Sequence, residues 1–484
     1  MKFIVKFFPE ITIKSKPVRK QMVRQLRNNL RALMKAVEAG VEVKSDWDKI
    51  EVATATDDEV VRQHIVNILS CTPGIAHFLD VMEYPFKDKQ DAFEKTQALW
   101  GERLKNKTFV VRCKRVGKHA FNSHELERYI GGGLYEHCES NGVDLHKPDI
   151  VVRVELRDDR LFIINQRHKG LGGFPLGSLD PVLSLVSGGF DSTVASYLMM
   201  KRGMRTHFCF FNLGGREHEI GVKEIALYLW MKYGSSSRVK FISVPFEGVV
   251  SEILKNVADP QMGVVLKRMM LRSASAIATK LRVDALVTGE AVAQVSSQTL
   301  MNLKVIDSVT QALVLRPLIV ANKEDIIKVS RDIGAEEFSA AMPEYCGVIS
   351  VKPTTRAKPE RIEYEEEKFD FSVLDKAVND LVMVNIDEIA NEELSSEAVE
   401  DVSLPASQHI IIDVRHPSEE ERKPLVLAQN KVEKIPFYEL HGKFSKLDSS
   451  KIYLLYCDKG VMSKLHASHL IELGYKNVKV YRPV

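Results

Sequence analysis

The sequence predicts a multidomain chain that combines α/β and α+β units, and three observations support this. At 484 residues the chain is too long for one hydrophobic core, and length alone suggests about three or four domains. Strand-like runs at Arg205–Asn212, Val239–Val244 and Ala285–Gly289 alternate with helical patterns at Glu217–Tyr233, Glu247–Val257 and Val264–Leu281. That alternation is the signature of a doubly wound parallel sheet. Charge is also segregated: residues 1–35 hold ten Lys/Arg against one acid, 101–119 seven against one, and 360–400 three against fourteen.

The bulk composition narrows the class. Hydrophobic content of 45% and charged content of 27% are globular values, and no apolar run approaches a membrane span. The opening Met1-Lys2-Phe3-Ile4-Val5-Lys6 is too interrupted for a signal peptide, so a cytoplasmic chain is expected. Six cysteines (Cys71, Cys113, Cys138, Cys209, Cys346, Cys457) are scattered without Cys-x-x-Cys or Cys/His clustering, against both a zinc site and a disulfide scaffold.

Residues 1–57 begin with a strand at Lys2–Phe8 and a helix over Pro17–Ala39. Met22, Leu26, Leu30, Leu33 and Val37 recur at helical spacing, while Arg19, Lys20, Arg24, Arg27, Arg31 and Lys35 occupy the other faces. One face packs, and the positive one suits a phosphate backbone. Short strands at Val41–Val43 and Ile50–Ala53 follow, as in a ferredoxin-like unit. A helix from Asp57 belongs with that unit and a strand follows at Ala76–Met82; a second α/β unit then holds helix Lys89–Leu104, strand Thr108–Arg112, helix Ser123–Glu139 and a hairpin of Ile150–Glu155 with Arg160–Asn165, the second domain being placed at 58–166. The strand region ends in cations, Arg112, Lys114 and Arg115 with Lys118 beyond, as expected where a sheet edge meets a polyanion. This layout resembles the THUMP domain of tRNA-modifying enzymes. Gly131-Gly132-Gly133 follows no strand end, so it reads as helix packing or a kink rather than a phosphate loop.

A turn-rich linker spans 167–177, and the central domain spans 178–353. Its key stretch is Leu183-Ser184-Leu185-Val186-Ser187-Gly188-Gly189-Phe190-Asp191-Ser192, a buried strand that passes through two glycines into a helix. Glycines let the backbone approach a ligand, the helix start presents free N–H groups, and Ser187, Ser192 and Thr193 add hydroxyls: an anion site. No lysine follows the glycines, which disfavours a Walker-type loop. Ser-Gly-Gly-Phe-Asp-Ser instead resembles the PP-loop of ATP pyrophosphatases, which cleave ATP between the α and β phosphates. Lys267, Arg268 and Arg272 on one helix supply cations, and Gly289, at a strand end, offers a second close approach. Asp191 suits either a magnesium ion bridging phosphates or a helix cap.

Residues 354–403 read as an acidic, mostly helical connector: in geometry a mobile tether that avoids RNA, in chemistry an ordinary solvated helix with a loop. The last domain, 404–484, opens with His409-Ile410-Ile411-Ile412-Asp413-Val414-Arg415; a second buried strand, Ile452–Tyr456, runs into Cys457-Asp458-Lys459-Gly460-Val461-Met462-Ser463 and a helix. A cysteine facing loop N–H groups and a helix start stabilises thiolate or persulfide. This arrangement resembles a rhodanese domain.

Together with Phe211-Asn212-Leu213-Gly214-Gly215, Gly263–Met270, Gly289-Glu290, Gln294–Thr299 and Pro343-Glu344-Tyr345-Cys346-Gly347-Val348, these motifs resemble the tRNA 4-thiouridine synthetase (tRNA sulfurtransferase) family over nearly the whole chain. The resemblance implies ATP contacts at Leu185, Val186, Ser187, Gly188, Gly189, Ser192, Lys267, Gly289 and Gln298, with Asp191 and Lys323 acting in adenylation. It implies ATP and Mg2+, tRNA as substrate, a cysteine desulfurase as sulfur donor, a thiol reductant, and a sulfur-carrier protein of thiazole synthesis. Cys457 would carry the persulfide and Cys346 would resolve it. A homodimer is compatible with the family, although no residue pattern indicates one. The competing enzyme reading, a PP-loop ligase acting on a small molecule, leaves the basic first third without a purpose. A non-catalytic RNA-binding sulfur carrier would not need the Ser187–Ser192 loop.

Overall fold

A computed structural model of the chain describes all residues except 36, 38, 39, 214, 341, 343–349, 351, 393–398, 416, 428, 458–460 and 484. It divides into two compact units, residues 1–178 with 201–203, and residues 179–200 with 204–484. Among the described residues, no helix is long and apolar enough to cross a membrane.

The first unit is built on one seven-stranded sheet of β1 (Lys2–Phe7), β2 (Glu42–Ser45), β3 (Ile50–Ala53), β4 (Ile75–Pro85), β5 (Phe109–Val116), β6 (Ile150–Arg157) and β7 (Arg160–Gly172), in the order β2-β3-β1-β4-β7-β6-β5. The long antiparallel β4–β7 pair joins the two small units into a continuous sheet. Helix Glu59–Cys71, N-capped by Asp58, packs on β4 and β7 beside helix Lys16–Met34. Residues 167–172, expected as linker, are instead the end of β7. Their glycines serve close strand pairing, since a Cβ on Gly170 would overlap the Ile75 carbonyl. Gly131–Gly133 lie inside helix Ser123–His137, and a Cβ on Gly133 would meet the Phe93 ring at 2.6 Å. They are a helix-packing feature.

The second unit holds two sheets. β8 (Leu179–Leu185), β9 (Met204–Asn212), β10 (Lys240–Pro245), β11 (Ala285–Val287), β12 (Leu313–Leu315) and β13 (Val382–Asn385) run in the order β12-β11-β8-β9-β10-β13, all parallel except β13. The chain winds outward from β8 through β9 and β10, then returns to β11 on the other side. The switch point therefore lies between β8 and β11, where ligands bind such sheets. β14 (Asp401–Val402), β15 (Ile410–Asp413), β16 (Lys431–Lys434), β17 (Tyr453–Tyr456) and β18 (Val478–Tyr481) form an all-parallel sheet in the order β14-β18-β17-β15-β16.

The connector at 354–403 is helical in places, as expected, but there it is packed rather than a mobile tether or a solvated helix. Helices Pro359–Glu366 and Ser372–Asn379 pack on helix Met262–Leu281, Ile362, Phe369, Leu374 and Ala377 enter the main core, and β13 closes one sheet edge. The acids are partners. Glu366 takes Arg268 in a two-pronged bond, Nε at 2.6 Å and Nη2 at 2.8 Å, and accepts from Arg272 at 3.0 Å. Arg268 and Arg272 lie one helical turn apart and face this connector, which withdraws them from the anion site.

Removing one partner of a buried pair strands the other charge. Glu366→Ala should cost about 3–5 kcal/mol in urea unfolding, while Arg268→Met with Glu366→Leu should recover most of it. Equal stabilities for the two variants would contradict the role given to the pair.

Candidate active site

The loop after β8 sits at the switch point and is folded by its own hydroxyls. Gly188 has φ +80°, and a Cβ there would lie 2.8 Å from Met342 Sδ and 3.2 Å from Val222 Cγ2. Only glycine fits both the backbone and the space. Ser192 Oγ accepts from the Ser187 N–H at 3.2 Å and donates to the Gly189 carbonyl at 3.2 Å, so the loop turns tightly into helix Phe190–Arg202. Leu185 is the last residue of β8, and the Val186 N–H donates to the Cys209 carbonyl at 2.9 Å, which fixes the loop's entry.

Asp191 opens that helix, and its carboxylate is engaged from two distant segments. Lys323 Nζ donates to both of its oxygens at 3.0 Å, and Gln294 Nε2 donates to Oδ2 at 2.9 Å. Lys323 and Asp191 are both partly exposed, so the pair stands at the mouth of the crevice, where a ligand can compete for it. Gly289, just beyond β11, touches the same helix start: a Cβ would lie 2.5 Å from the Asp191 carbonyl carbon and 2.6 Å from the Ser192 nitrogen. Glycine is obligatory for the two strand ends to converge.

Beside it, Glu290 is buried between two cations. Lys267 Nζ donates to Oε1 at 2.5 Å, Arg316 Nε to Oε2 at 2.8 Å, and Thr288 Oγ1 to Oε2 at 3.0 Å. Burial alone would raise the carboxyl's pKa, but Lys267 and Arg316 outweigh it and bring it down to about 2. Arg316 is itself held by Asp307 at 2.6 and 2.9 Å. Lys267 thus reaches the strand ends from helix Met262–Leu281 on a fixed anchor. Gln298 lies in the short turn Ser296–Gln298, where its carbonyl accepts from the Ala293 N–H at 3.0 Å. Its buried Oε1 has no hydrogen-bond partner among the described residues, so it retains an acceptor for a ligand's N–H.

Cys346 lies outside the described residues, but its flanks do not. Met342 packs on Gly188 and Gly221, and Ser350 Oγ donates to the Asp259 carbonyl at 2.8 Å. Cys346 is four positions along the sequence from each of these anchors. Cys457 follows β17 directly and is 9% exposed. The Ser463 N–H, in the first turn of helix Val461–Glu472, donates to its Sγ at 3.3 Å, and Ser463 Oγ lies at 3.4 Å. Arg415 and Asp413 form a buried pair, 2.6 Å at the shortest, and the Arg415 guanidinium lies 5.0 Å from the Tyr456 ring centre.

The basic residues divide by strand geometry. β5 is an edge strand on which Arg112 and Lys114 are exposed on one face, with Lys118 exposed beyond it. Arg115 alternates to the other face, where Nη1 donates to the Gly117 carbonyl at 2.9 Å. A further hollow of about 300 Å³ between β4 and β7 is lined by Ala76, His77, Arg167, His168 and Lys169. Burial lowers the pKa of both histidines, helped at His77 by Arg167 and Lys6, so Arg167 and Lys169 carry its charge. The sequence reading missed this hollow and Arg316 and gave Ser463 no role; Arg316 lies just beyond a strand of only three residues.

A phosphate-type loop without a Walker lysine, at the switch point of a doubly wound sheet, places the central domain in the PP-loop ATP pyrophosphatase class. Family models agree along the chain: a ThiI ferredoxin-like domain at residues 2–78, a THUMP domain at 86–164, the thiamine biosynthesis protein ThiI at 177–371 and a rhodanese-like domain at 396–482. The chain is 57% identical to a tRNA sulfurtransferase of Pseudomonas aeruginosa (strain UCBPP-PA14) and 55% identical to one of Saccharophagus degradans, each over 100% of both chains. It belongs to the tRNA sulfurtransferase family. Among solved structures it resembles a 4-thiouridine synthetase–RNA complex with bound ATP, at 26% identity and TM-score 0.71, over 79% of this chain and 99% of that one. A Pyrococcus horikoshii protein shares the fold at 19% identity and TM-score 0.53, over 69% of this chain and 100% of its own.

Glu290 contributes stability that is complete above its ordinary value of 4.5 and is lost as pH falls towards about 2. Glu290→Gln should therefore flatten the dependence of the thermal midpoint on pH across that interval. A wild-type slope in the variant would show that the acid limb arises elsewhere.

Proposed function

We propose that this protein makes 4-thiouridine in tRNA by ATP-dependent transfer of sulfur from a Cys457 persulfide. The observation that carries the reading is the presence, in one chain, of a glycine loop whose Asp191 is gripped by Lys323 and a Cys457 thiol facing the start of a helix. The first is suited to activating an oxygen, the second to holding nucleophilic sulfur. The likeness to a synthetase solved with RNA and ATP supports both substrates.

In this reading Ser187, Gly188, Gly189 and Ser192 hold phosphate oxygens, Lys267 and Lys323 balance their charge, and Leu185, Val186, Gly289 and Gln298 contact the rest of the nucleotide. Among the described residues, no group of three metal-ligating side chains occurs. A magnesium ion would be held chiefly by phosphate oxygens, with Asp191 as the carboxylate beside them. O4 of uridine 8 attacks the α-phosphorus and pyrophosphate leaves. The terminal sulfur of the persulfide adds to C4 and AMP leaves; the Cys346 thiolate then attacks Cys457 Sγ, breaking its bond to the transferred sulfur. Alternatively, Cys346 attacks first and the released hydrosulfide adds to C4. Either route ends in a Cys346–Cys457 disulfide, which a thiol reductant must reopen by two electrons.

A cysteine desulfurase would load Cys457, and the same persulfide could serve a sulfur-carrier protein for thiazole synthesis without the ATP loop. Arg112, Lys114, Arg115 and Lys118 are assigned to tRNA phosphates, Arg112 and Lys114 most directly from their shared exposed face. Scattered cysteines fit a reducing cytoplasm.

Nucleoside mass spectrometry of unmodified tRNA incubated with the protein, ATP, magnesium and a persulfide donor should reveal one sulfur gained on uridine. Cys457→Ala should abolish that gain and keep tRNA binding and pyrophosphate release; Asp191→Ala should lose pyrophosphate release by at least a hundredfold. Thiolation surviving in Cys457→Ala would overturn the sulfur route. Replacing Arg112 and Lys114 by Ala should weaken tRNA binding and make the slope of log affinity against log salt shallower by about one for each phosphate no longer neutralised. An unchanged slope would move the RNA surface elsewhere.

A further inference from the structure

Helix Arg216–Leu229 touches three parts of the chain that the proposed chemistry must bring together. At its first turn, His218 Nε2 lies 3.0 Å from the Ser187 carbonyl of the glycine loop, and its ring meets Phe210 edge-on at 4.9 Å. One turn later, Gly221 and Val222 pack against Met342 and Gly188, at the root of the segment that leads to Cys346. A further turn along, Glu224 Oε1 lies 3.0 Å from Nε2 of His466, on the helix that begins four residues after Cys457. Both side chains are buried, at 9% and 1% exposure. Ile225 and Phe338 of the central domain join Val414, Leu455, Ala467, Leu470 and Cys457 in one apolar cluster, with Tyr228 packed against it.

The spacing makes this one device. Residues 218, 221, 222 and 225 recur at helical intervals, while 224 and 228 lie together on one side of that stripe, about 110° and about 70° from its centre. Ser463 and His466 are likewise one turn apart on their own helix, so the residue that faces Cys457 Sγ and the residue that faces Glu224 share a side. Burying a polar pair adds little net stability, so the use of this one would be to fix orientation. Orientation is what a sulfur-bearing domain needs if it must leave to be loaded and return to the same place to be emptied.

We propose that helix Arg216–Leu229 is the docking platform of the rhodanese-like domain for sulfur delivery, and that Glu224 and His466 are its positioning pair. The inference rests on the sulfur-transfer reading above. Neither residue touches the reacting atoms; the pair holds the helix that carries Ser463, and with it Cys457, against helix Arg216–Leu229.

The test uses the full-length protein with Glu224→Ala, His466→Ala and both together, transcribed tRNA, ATP and glutathione persulfide. Three quantities are measured: persulfide on Cys457 by mass spectrometry, pyrophosphate release, and the single-turnover rate of Cys346–Cys457 disulfide formation. Loading and pyrophosphate release should stay at wild-type levels, while each single variant slows the disulfide at least tenfold and the double variant is no slower than the worse single. A wild-type disulfide rate in the single variants overturns the pair. If an alanine variant also loses loading or pyrophosphate release, Glu224→Met with His466→Leu, which fills the same space without charge, decides instead. A slowed disulfide with intact loading supports the proposal, and a wild-type rate overturns it. If wild-type protein loads and releases pyrophosphate but never forms the disulfide, the sulfur-transfer reading fails, not the platform alone.

Discussion

The convergence of two strand ends on one helix start is the constraint on which the second unit depends. Gly289 approaches Asp191 and Ser192 so closely that no side chain can stand between them. That approach brings the ends of β8 and β11 together at the switch point and so decides where a ligand can enter. The remaining features follow from it. Glu290, the next residue, is driven into the interior and must be answered by Lys267 and Arg316; Asp191 is left at the surface, where Lys323 and Gln294 reach it.

Charge is used in this domain to fix distances rather than to add stability in bulk. An isolated buried carboxylate is costly, and three buried acids of this unit have a cation from a distant segment or a close neighbour: Glu290 with Lys267 and Arg316, Glu366 with Arg268, and Asp413 with Arg415 in the last domain. The partners differ in availability. Arg268 and Arg415 are buried and spent within the fold, whereas Lys323 is partly exposed and can exchange its carboxylate for a ligand. A cation's presence on the same helix as Lys267 therefore says little about its access to phosphate, and Arg268 is the example.

The glycine loop was legible in the sequence because its determinants are local: glycines, small hydroxyls, and an apolar strand before a helix. The rhodanese-like loop was legible for the same reason, although its middle residues, 458–460, lie outside the described ones. What composition could not convey was pairing across long separations. Arg268 and Glu366 are 98 residues apart, and Lys323 and Asp191 are 132 apart. A run of acids reads as solvated tether until the cations facing it are known. β12 and β13, of three and four residues, are too short for periodicity to register, and β13 adds a sheet edge inside the acidic stretch. The basic hollow of His77, Arg167, His168 and Lys169 is assembled from two strands of one pair, and neither segment alone carries a notable charge run.

A persulfide is more acidic and more nucleophilic than a thiol, so a protein that carries one must hold an anion while keeping it from adventitious electrophiles. In the proposed reading the surroundings of Cys457 would meet both needs with the same elements. The Ser463 N–H and the helix start favour negative charge on sulfur, while Cys457 is buried in the apolar cluster that holds Ile412, Val414, Leu455 and the central domain's Ile225. Such burial is useful only if it can be relieved, because a donor must reach the thiol. It follows that the apolar cluster shared by the two domains should be no stronger than rapid release allows, and that the selectivity of its closing must come from directional contacts. Apolar packing is tolerant of small rotations; a buried carboxylate within 3.0 Å of an imidazole is less so. That difference is the physical reason to look for the specificity of sulfur delivery in a polar pair on helix Arg216–Leu229 rather than in the larger area around it.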